Sequence, residues 1–302
     1  MDFLFKCPTS LCNQPLFMNR IFSAFTAILL TLSLTACGAA KDNTAAPADD
    51  SSTAASQDVT VRIGLTGTFN EDIWAPAAEE LAQEGIHLEF VQFSNFSLPN
   101  DALNSGDIDL NAFQHHAFLE NEIANYGYDI TAIGDTYVVA MNVYSDKIND
   151  LSELKDGDKI AIPNDATNEG RALKLLESAG ILELDPAAGA SPTIADITSY
   201  QVQVEFVEVD ANLVYSTLPD VTLAVINGNY ALDSGLTADE ALYKESDYTD
   251  NSYFGLIAAR TEDAENPVYL RIVEAYQTQK TIDVFNNEFA GFFLPAWELD
   301  VG

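Results

Sequence analysis

Polar and apolar residues alternate over residues 58–65 (DVTVRIGL), which puts Val59, Val61 and Ile63 on one face, the period of a half-buried strand. After a glycine-containing turn at 66–70 the period changes. Ile73, Ala77 and Leu81 recur at every fourth position within 72–83, the spacing of a helix with one apolar face. Gly85 stops that helix, and 86–93 returns to strand alternation. The same pattern predicts a short helix at 100–104, a lead-in at 107–113 to a helix over 115–126, and a long β-rich segment at 131–144. Beyond it come a helical turn at 151–154, a strand at 159–163 and a helix at 165–179 that Gly180 ends. Strands are expected at 203–207, 221–226 and 253–259, with helices at 211–218, 267–278 and 283–289. Strands alternating with helices of about ten residues or more argue for βαβ units, an α/β fold and a mainly parallel sheet. The length requires two such lobes, and no internal repeat is visible.

The first 57 residues follow different rules. Residues 21–34 (IFSAFTAILLTLSL) form an uncharged apolar run preceded by Arg20, the pattern of a signal-peptide core. The run is short of the roughly 20 apolar residues that a membrane-spanning helix needs. It ends in Leu34-Thr35-Ala36-Cys37, which resembles a bacterial lipobox, where the cysteine is diacylated and becomes the mature N-terminus. Residues 1–36 therefore read as a signal peptide with its natural start at Met18, and Cys37 as the lipidation site. Residues 38–57 contain no large apolar side chain and read as a flexible tether with an r.m.s. reach on the order of 25 Å.

Composition narrows the function. Among 302 residues there are 13 Lys+Arg against 47 Asp+Glu, a formal net charge of −34. Nucleic acid and anionic lipid headgroups demand a basic surface, so neither is expected as a partner, and membrane contact is expected through the lipid anchor only. The three cysteines, Cys7, Cys12 and Cys37, all precede the folded body, which excludes from it a disulfide framework, a catalytic thiol and a cysteine-rich metal site. The histidines are His87, His115 and His116. Neighbouring residues on a helix point about 100° apart and do not chelate together, and zinc wants at least three protein ligands, so no metal and no cofactor is expected. No Ser-His-Asp order or paired-carboxylate motif stands out, which disfavours an enzyme.

Ligand sites in open α/β sheets lie beyond the carboxyl ends of strands. Three strand-to-helix junctions are the candidates: 111–116 (NAFQHH), 163–171 (PNDATNEGR) and 225–230 (VINGNY). At these residues the chain resembles the NlpA/MetQ-type lipoproteins, the methionine-binding receptors of bacterial ABC importers. The resemblance runs from 98–100 (LPN) and 107–115 (DIDLNAFQH) through 144–148 (YSDKI) to 162–173 (IPNDATNEGRAL) and 224–231 (AVINGNYA). It implies a two-lobed periplasmic-binding-protein type II architecture, with lobe 1 at 58–138 plus 237–302 and lobe 2 at 139–236. It also implies a free amino acid as ligand, L-methionine foremost, delivered to the permease and ATPase subunits of an ABC importer. Another apolar amino acid, a methionine-containing dipeptide, or a sensor role without transport stay open as alternatives.

A zwitterion needs a guanidinium for its carboxylate and oxygens for its ammonium. Arg171 is the candidate for the first, near a helix start in a chain poor in basic residues. If the ligand carboxylate is its anion, removing Arg171 should cost the empty protein little stability. Asn168 and Asn227 offer donor and acceptor atoms on short side chains, although Asn168 could instead cap its helix. The family pattern puts a ligand-binding Asn at Asn227 and a ligand contact at His115; Asn229 reads as turn chemistry and His116 as exposed. Phe113, Phe96 and Phe118 are the candidates for an apolar pocket, which suits a thioether. By motif alignment the family often has Tyr at the last two positions, so this pocket lacks two hydroxyls. Replacing Cys37 with Ser is expected to release the protein from the membrane fraction; a variant retained there with its signal uncleaved would overturn the lipobox reading.

Overall fold

The computed structural model describes residues 58–246, 248, 251–289 and 292–300. The chain starts as the periodicity predicts, with β1 (Val59–Thr66), α1 (Asn70–Ala82), β2 (Ile86–Phe93), α2 (Pro99–Ser105), β3 (Leu110–Asn111) and α3 (His116–Tyr126). The apolar stripe of α1 is buried at Ile73, Trp74, Ala77 and Leu81. Gly85 takes φ +80°, the left-handed conformation that turns the chain back into β2.

The long segment at 131–144 is not one strand. It divides into β4 (Ile130–Asp135), β5 (Tyr137–Val139) and β6 (Asn142–Tyr144), and these lie in three different sheets. The cause is a lobe crossing. Tyr137, Val138, Ala140 and Met141 are all buried, so the run is apolar throughout although no single sheet pairs it. The second lobe follows with β7 (Lys159–Pro163), α4 (Ala166–Ser178), β8 (Leu182–Leu184), β9 (Ile197–Tyr200), β10 (Glu205–Val209), β11 (Leu223–Ile226), α5 (Gly228–Asp233) and β12 (Tyr243–Lys244). The chain then returns through β13 (Leu256–Arg260), α6 (Pro267–Tyr276), α7 (Gln279–Glu288) and β14 (Phe293–Pro295). The helix expected over 211–218 forms as two 3₁₀ turns, Ala211–Leu213 and Tyr215–Thr217.

The two five-stranded sheets share one plan. The first has the order β2-β1-β3-β13-β4 and the second β10-β7-β11-β6-β12. In each, four strands run parallel and the fourth in order is antiparallel to both neighbours: β13 in the first sheet, β6 in the second. That odd strand is in each case the first one laid down after the chain crosses over from the other lobe. Tyr243 pairs with Val143 and Lys244 with Asn142, so 237–244, expected in lobe 1, supplies a strand to the second sheet. β5 pairs with β14, which fastens the first crossing to the C-terminal segment.

The first lobe packs around Ile63, Leu65, Trp74, Tyr276 and Phe285, and the outer face of the second sheet around Ile160, Ile162, Leu173, Leu176 and Val225. Each such side chain contributes about 1.5–3 kcal/mol through burial. The two crossings lie side by side: the Thr136 amide donates to the Gly255 carbonyl at 2.7 Å, and the Gly255 amide to the Tyr137 carbonyl at 2.8 Å. Glycine is required at the start of α5, where a Cβ on Gly228 would collide with the Val139 side chain and the Ala140 carbonyl oxygen. Gly228→Ala is therefore expected to destabilise the protein by about 1–3 kcal/mol. Thermal unfolding measures it, and an unchanged melting temperature would contradict the close approach of α5 to the first crossing.

Candidate ligand-binding site

The carboxyl ends of β3, β7 and β11 meet the two crossings around one cavity. It is lined by all seven residues singled out from the sequence: Phe96, Phe113, Phe118, His115, Asn168, Arg171 and Asn227. Thr136, Tyr137, Val139, Tyr253 and Gly255 of the crossings complete the wall, together with Ala112, Gln114 and Asn229.

Local capping sets the polar wall. Asp165, not Asn168, caps α4: its carboxylate accepts from the Asn168 amide at 3.0 Å. Asp165 also takes the Asn168 side-chain nitrogen at 2.9 and 3.1 Å, which turns the Asn168 Oδ1 toward the cleft. There Oδ1 accepts from Asn227 Nδ2 at 2.7 Å, with His115 Nε2 at 3.4 Å. His115 caps α3, its Nδ1 accepting from the Phe118 amide at 3.1 Å. That bond puts the imidazole proton on Nε2. Burial, followed by the nearby Arg171 charge, lowers the His115 pKa to about 3, so the ring is neutral. Asn227 Oδ1 is buried and has no hydrogen-bond partner among the described residues. An orphaned carbonyl oxygen in a cavity wall is an unfilled acceptor that a ligand N–H can satisfy.

Arg171 is almost fully buried and is not waiting for an anion. Its Nε and Nη2 donate to the two carboxylate oxygens of Glu245 at 2.7 and 2.5 Å, and Nη2 also donates to the Val139 carbonyl at 2.9 Å. Its Cζ lies 4.5 Å from the centre of the Tyr253 ring. Burial opposes the charge, but the Glu245 carboxylate outweighs it and raises the Arg171 pKa. The expectation that Arg171 is uncompensated in the empty protein is thus corrected: the second crossing supplies a permanent partner.

The apolar wall is a triangle of rings. Phe96, Phe113 and Phe118 have centroid separations of 6.0, 6.0 and 5.9 Å, and Tyr230 backs Phe96 at 4.9 Å. Beneath it, Asn100, Asn111 and Gln114 form a buried ring of amides. Asn100 Nδ2 donates to Gln114 Oε1 at 2.8 Å, Gln114 Nε2 to Asn100 Oδ1 at 2.6 Å, and Asn111 Nδ2 to Asn100 Oδ1 at 2.9 Å. Fully satisfied amides of this kind fix a loop rigidly, here the one that carries Phe113 and His115. The Leu256 amide donates to the Gln114 carbonyl at 3.0 Å, tying the same loop to β13.

Two further assignments change. His116 is half-buried and pairs with Asp135 at 2.7 Å rather than facing solvent. Asn229 lies inside α5, buried, with its Nδ2 3.5 Å from Thr66 Oγ1 on the other side of the cleft. Glu245 and Tyr253 join the site without a signal in the sequence. Glu245 is one acidic residue among 47, and Tyr253 lies where a strand was expected; neither position carries a local signal.

The sequence model of the NlpA lipoprotein family matches residues 61–297. The chain belongs to the NlpA lipoprotein family. Among NlpA-type relatives, the chain is 34% identical to the D-methionine-binding lipoprotein MetQ of Yersinia pestis, over 92% of this chain and 98% of that one. Two solved structures are similar over 78% of the chain, each at 34% identity. One is a nutrient-binding protein from Burkholderia cenocepacia bound to methionine (TM-score 0.74, 99% of that chain) and the other the methionine-binding protein MetQ (TM-score 0.75, 97%). The family match and these neighbours establish the two-lobed substrate-binding-protein fold.

Removing Arg171 leaves the Glu245 carboxylate buried and unpaired, so Arg171→Ala is expected to cost the empty protein about 3–5 kcal/mol of stability. Adding Glu245→Ala should restore part of that loss, because the two effects are coupled. Denaturant melts of the single and double variants measure it; strictly additive losses would show that the pair does not act as a unit.

Proposed function

We propose that this NlpA-family chain is the substrate-binding lipoprotein of an ABC importer and that it captures free methionine between its two lobes. One observation carries the reading: one cavity is lined by a buried arginine, by an asparagine whose amide oxygen is unpaired and by three phenylalanines. Those are the complements of a carboxylate, an ammonium and an apolar side chain. The methionine bound to the Burkholderia relative and the names of the curated relatives support the same ligand.

In this reading Arg171 Nη1 takes the ligand carboxylate, since Glu245 and Val139 engage its other two nitrogens. Asn227 Oδ1 accepts from the α-ammonium, with Asn168 and His115 holding that amide in place. The rings of Phe96, Phe113 and Phe118 surround the thioether, whose sulfur gains about 0.3–1.5 kcal/mol per aromatic contact. The protein binds and releases without catalysis. Its partners are the permease and ATPase subunits, and Cys37, which lies outside the described residues, holds it by lipid on the extracytoplasmic face of the membrane. Among the described residues no helix is long and apolar enough to cross a membrane. The lobes divide near 138 and, on the return, after β12.

Native mass spectrometry of the purified protein, followed by calorimetric titration of the refolded protein with L- and D-methionine, leucine and norleucine, tests the function. Methionine is expected to be the retained mass and the tightest binder; release of an unrelated compound and no methionine binding would overturn it. Arg171→Ala should weaken methionine binding by roughly 30-fold or more. Phe96→Tyr or Phe118→Tyr should change the ranking among these apolar amino acids, because a buried hydroxyl without a partner costs about 1–3 kcal/mol. An unchanged ranking in both would remove these rings from the binding surface.

A further inference from the structure

We infer that Glu245 sets the charge selectivity of the cavity: by holding Arg171 as a fixed ion pair it leaves the site without a free positive charge. The cavity then accepts a ligand that carries both an ammonium and a carboxylate and rejects the same side chain carrying a carboxylate alone. The inference rests on the reading of the cavity as an amino-acid site and identifies the residue that decides which charge state enters.

The geometry makes Glu245 a permanent counter-ion rather than a placeholder that a ligand displaces. Both of its oxygens are bonded to Arg171, and Oε2 also accepts from the Met141 amide at 2.9 Å on the first crossing. Its own amide donates to Asn142 Oδ1 at 3.1 Å. Swinging the carboxylate away would break its bonds to α4 and to the first crossing at once. The side chain is 9% exposed and that of Arg171 4%, so solvent screens the pair little.

The remaining charges agree. Among the described residues lining the cavity, Arg171 is the one cation, and His115 is held neutral by burial. Behind Asn168 stands the carboxylate of Asp165. An arriving carboxylate meets an arginine that is already neutralised, with a second acidic side chain nearby. It is tolerated when its own ammonium travels with it, and the orphaned Asn227 Oδ1 receives that ammonium without adding charge. Glu245 is therefore a positioning residue that acts through Arg171.

The test is titration of the refolded wild type and of Glu245→Gln with methionine and with 4-(methylthio)butanoate, which keeps the side chain and carboxylate and lacks the ammonium. The wild type should bind the butanoate about a hundredfold more weakly than methionine or worse. In Glu245→Gln the ratio of the two affinities should move toward the butanoate by about tenfold or more, the scale of one removed charge at close range. A merely structural role would weaken both ligands alike, and an unchanged ratio overturns the inference. Thermal melts identify a variant that has not folded, in which case the wild type decides: equal affinity for the two ligands overturns it, and the hundredfold gap supports it. A wild type that binds neither compound overturns the methionine reading and this inference with it.

Discussion

A guanidinium buried inside a protein survives only if its hydrogen-bonding capacity is met and its charge is balanced. Arg171 meets the second condition through Glu245 and most of the first by reaching to both crossings, which leaves Nη1 for a ligand. Its own helix belongs to the second sheet, its carboxylate partner to the returning crossing, and its carbonyl partner to the outgoing one. A single side chain thus ties α4 to both crossings between the lobes. Any ligand group that engages this arginine acts at the hinge as well as at the site, and a ligand shifts the balance of open and closed forms only through such differential contacts.

The other polar groups of the cleft follow the same rule of compensation. Asn168 is useful because Asp165 relieves it of capping α4, and His115 because it caps α3 through one nitrogen and leaves the other facing Asn168. Contacts across the cleft, from Asn229 to Thr66 and from Thr68 to Asp233, show the lobes closed upon each other. In that state four buried side-chain oxygens have no partner among the described residues, and of these the oxygen of Asn227 belongs to a residue lining the cavity. That residue shares the cavity wall with Arg171 and the three phenylalanines, which separates its oxygen from an ordinary packing flaw.

Local chemistry made much of this legible beforehand. The clean periods of β1, α1 and β2, and the apolar run of β7 followed by α4, place these elements within a few residues of their ends, because each segment has a plain pattern and an obvious stop. Arg171 stood out through the scarcity of basic residues, and the junction asparagines through their place beyond strand ends. What failed was whatever depends on partners distant in the chain. The 131–144 run looked like one strand because hydrophobicity does not reveal which sheet a residue joins. β14 was hidden by its terminal proline and pairs only because β5 offers it an edge. Glu245 meets Arg171 across 74 positions, and nothing in its neighbours distinguishes it from any other acid.

The interleaving of the sheets also bears on the order in which the protein can fold. In the first lobe β13 lies between β3 and β4, so those two strands keep unpaired edges until residue 260 is available. The helices α6 and α7 that cover Trp74 and its neighbours come later still. The second lobe, by contrast, is continuous from β6 to β12 and can close as soon as its own segment exists. An emerging N-terminal half is therefore a sheet with a gap, unable to complete its core and exposed to edge-to-edge association. For a chain read as crossing a membrane before it folds, a strand held back to the last quarter of the sequence delays compaction of the first lobe until most of the polypeptide has passed.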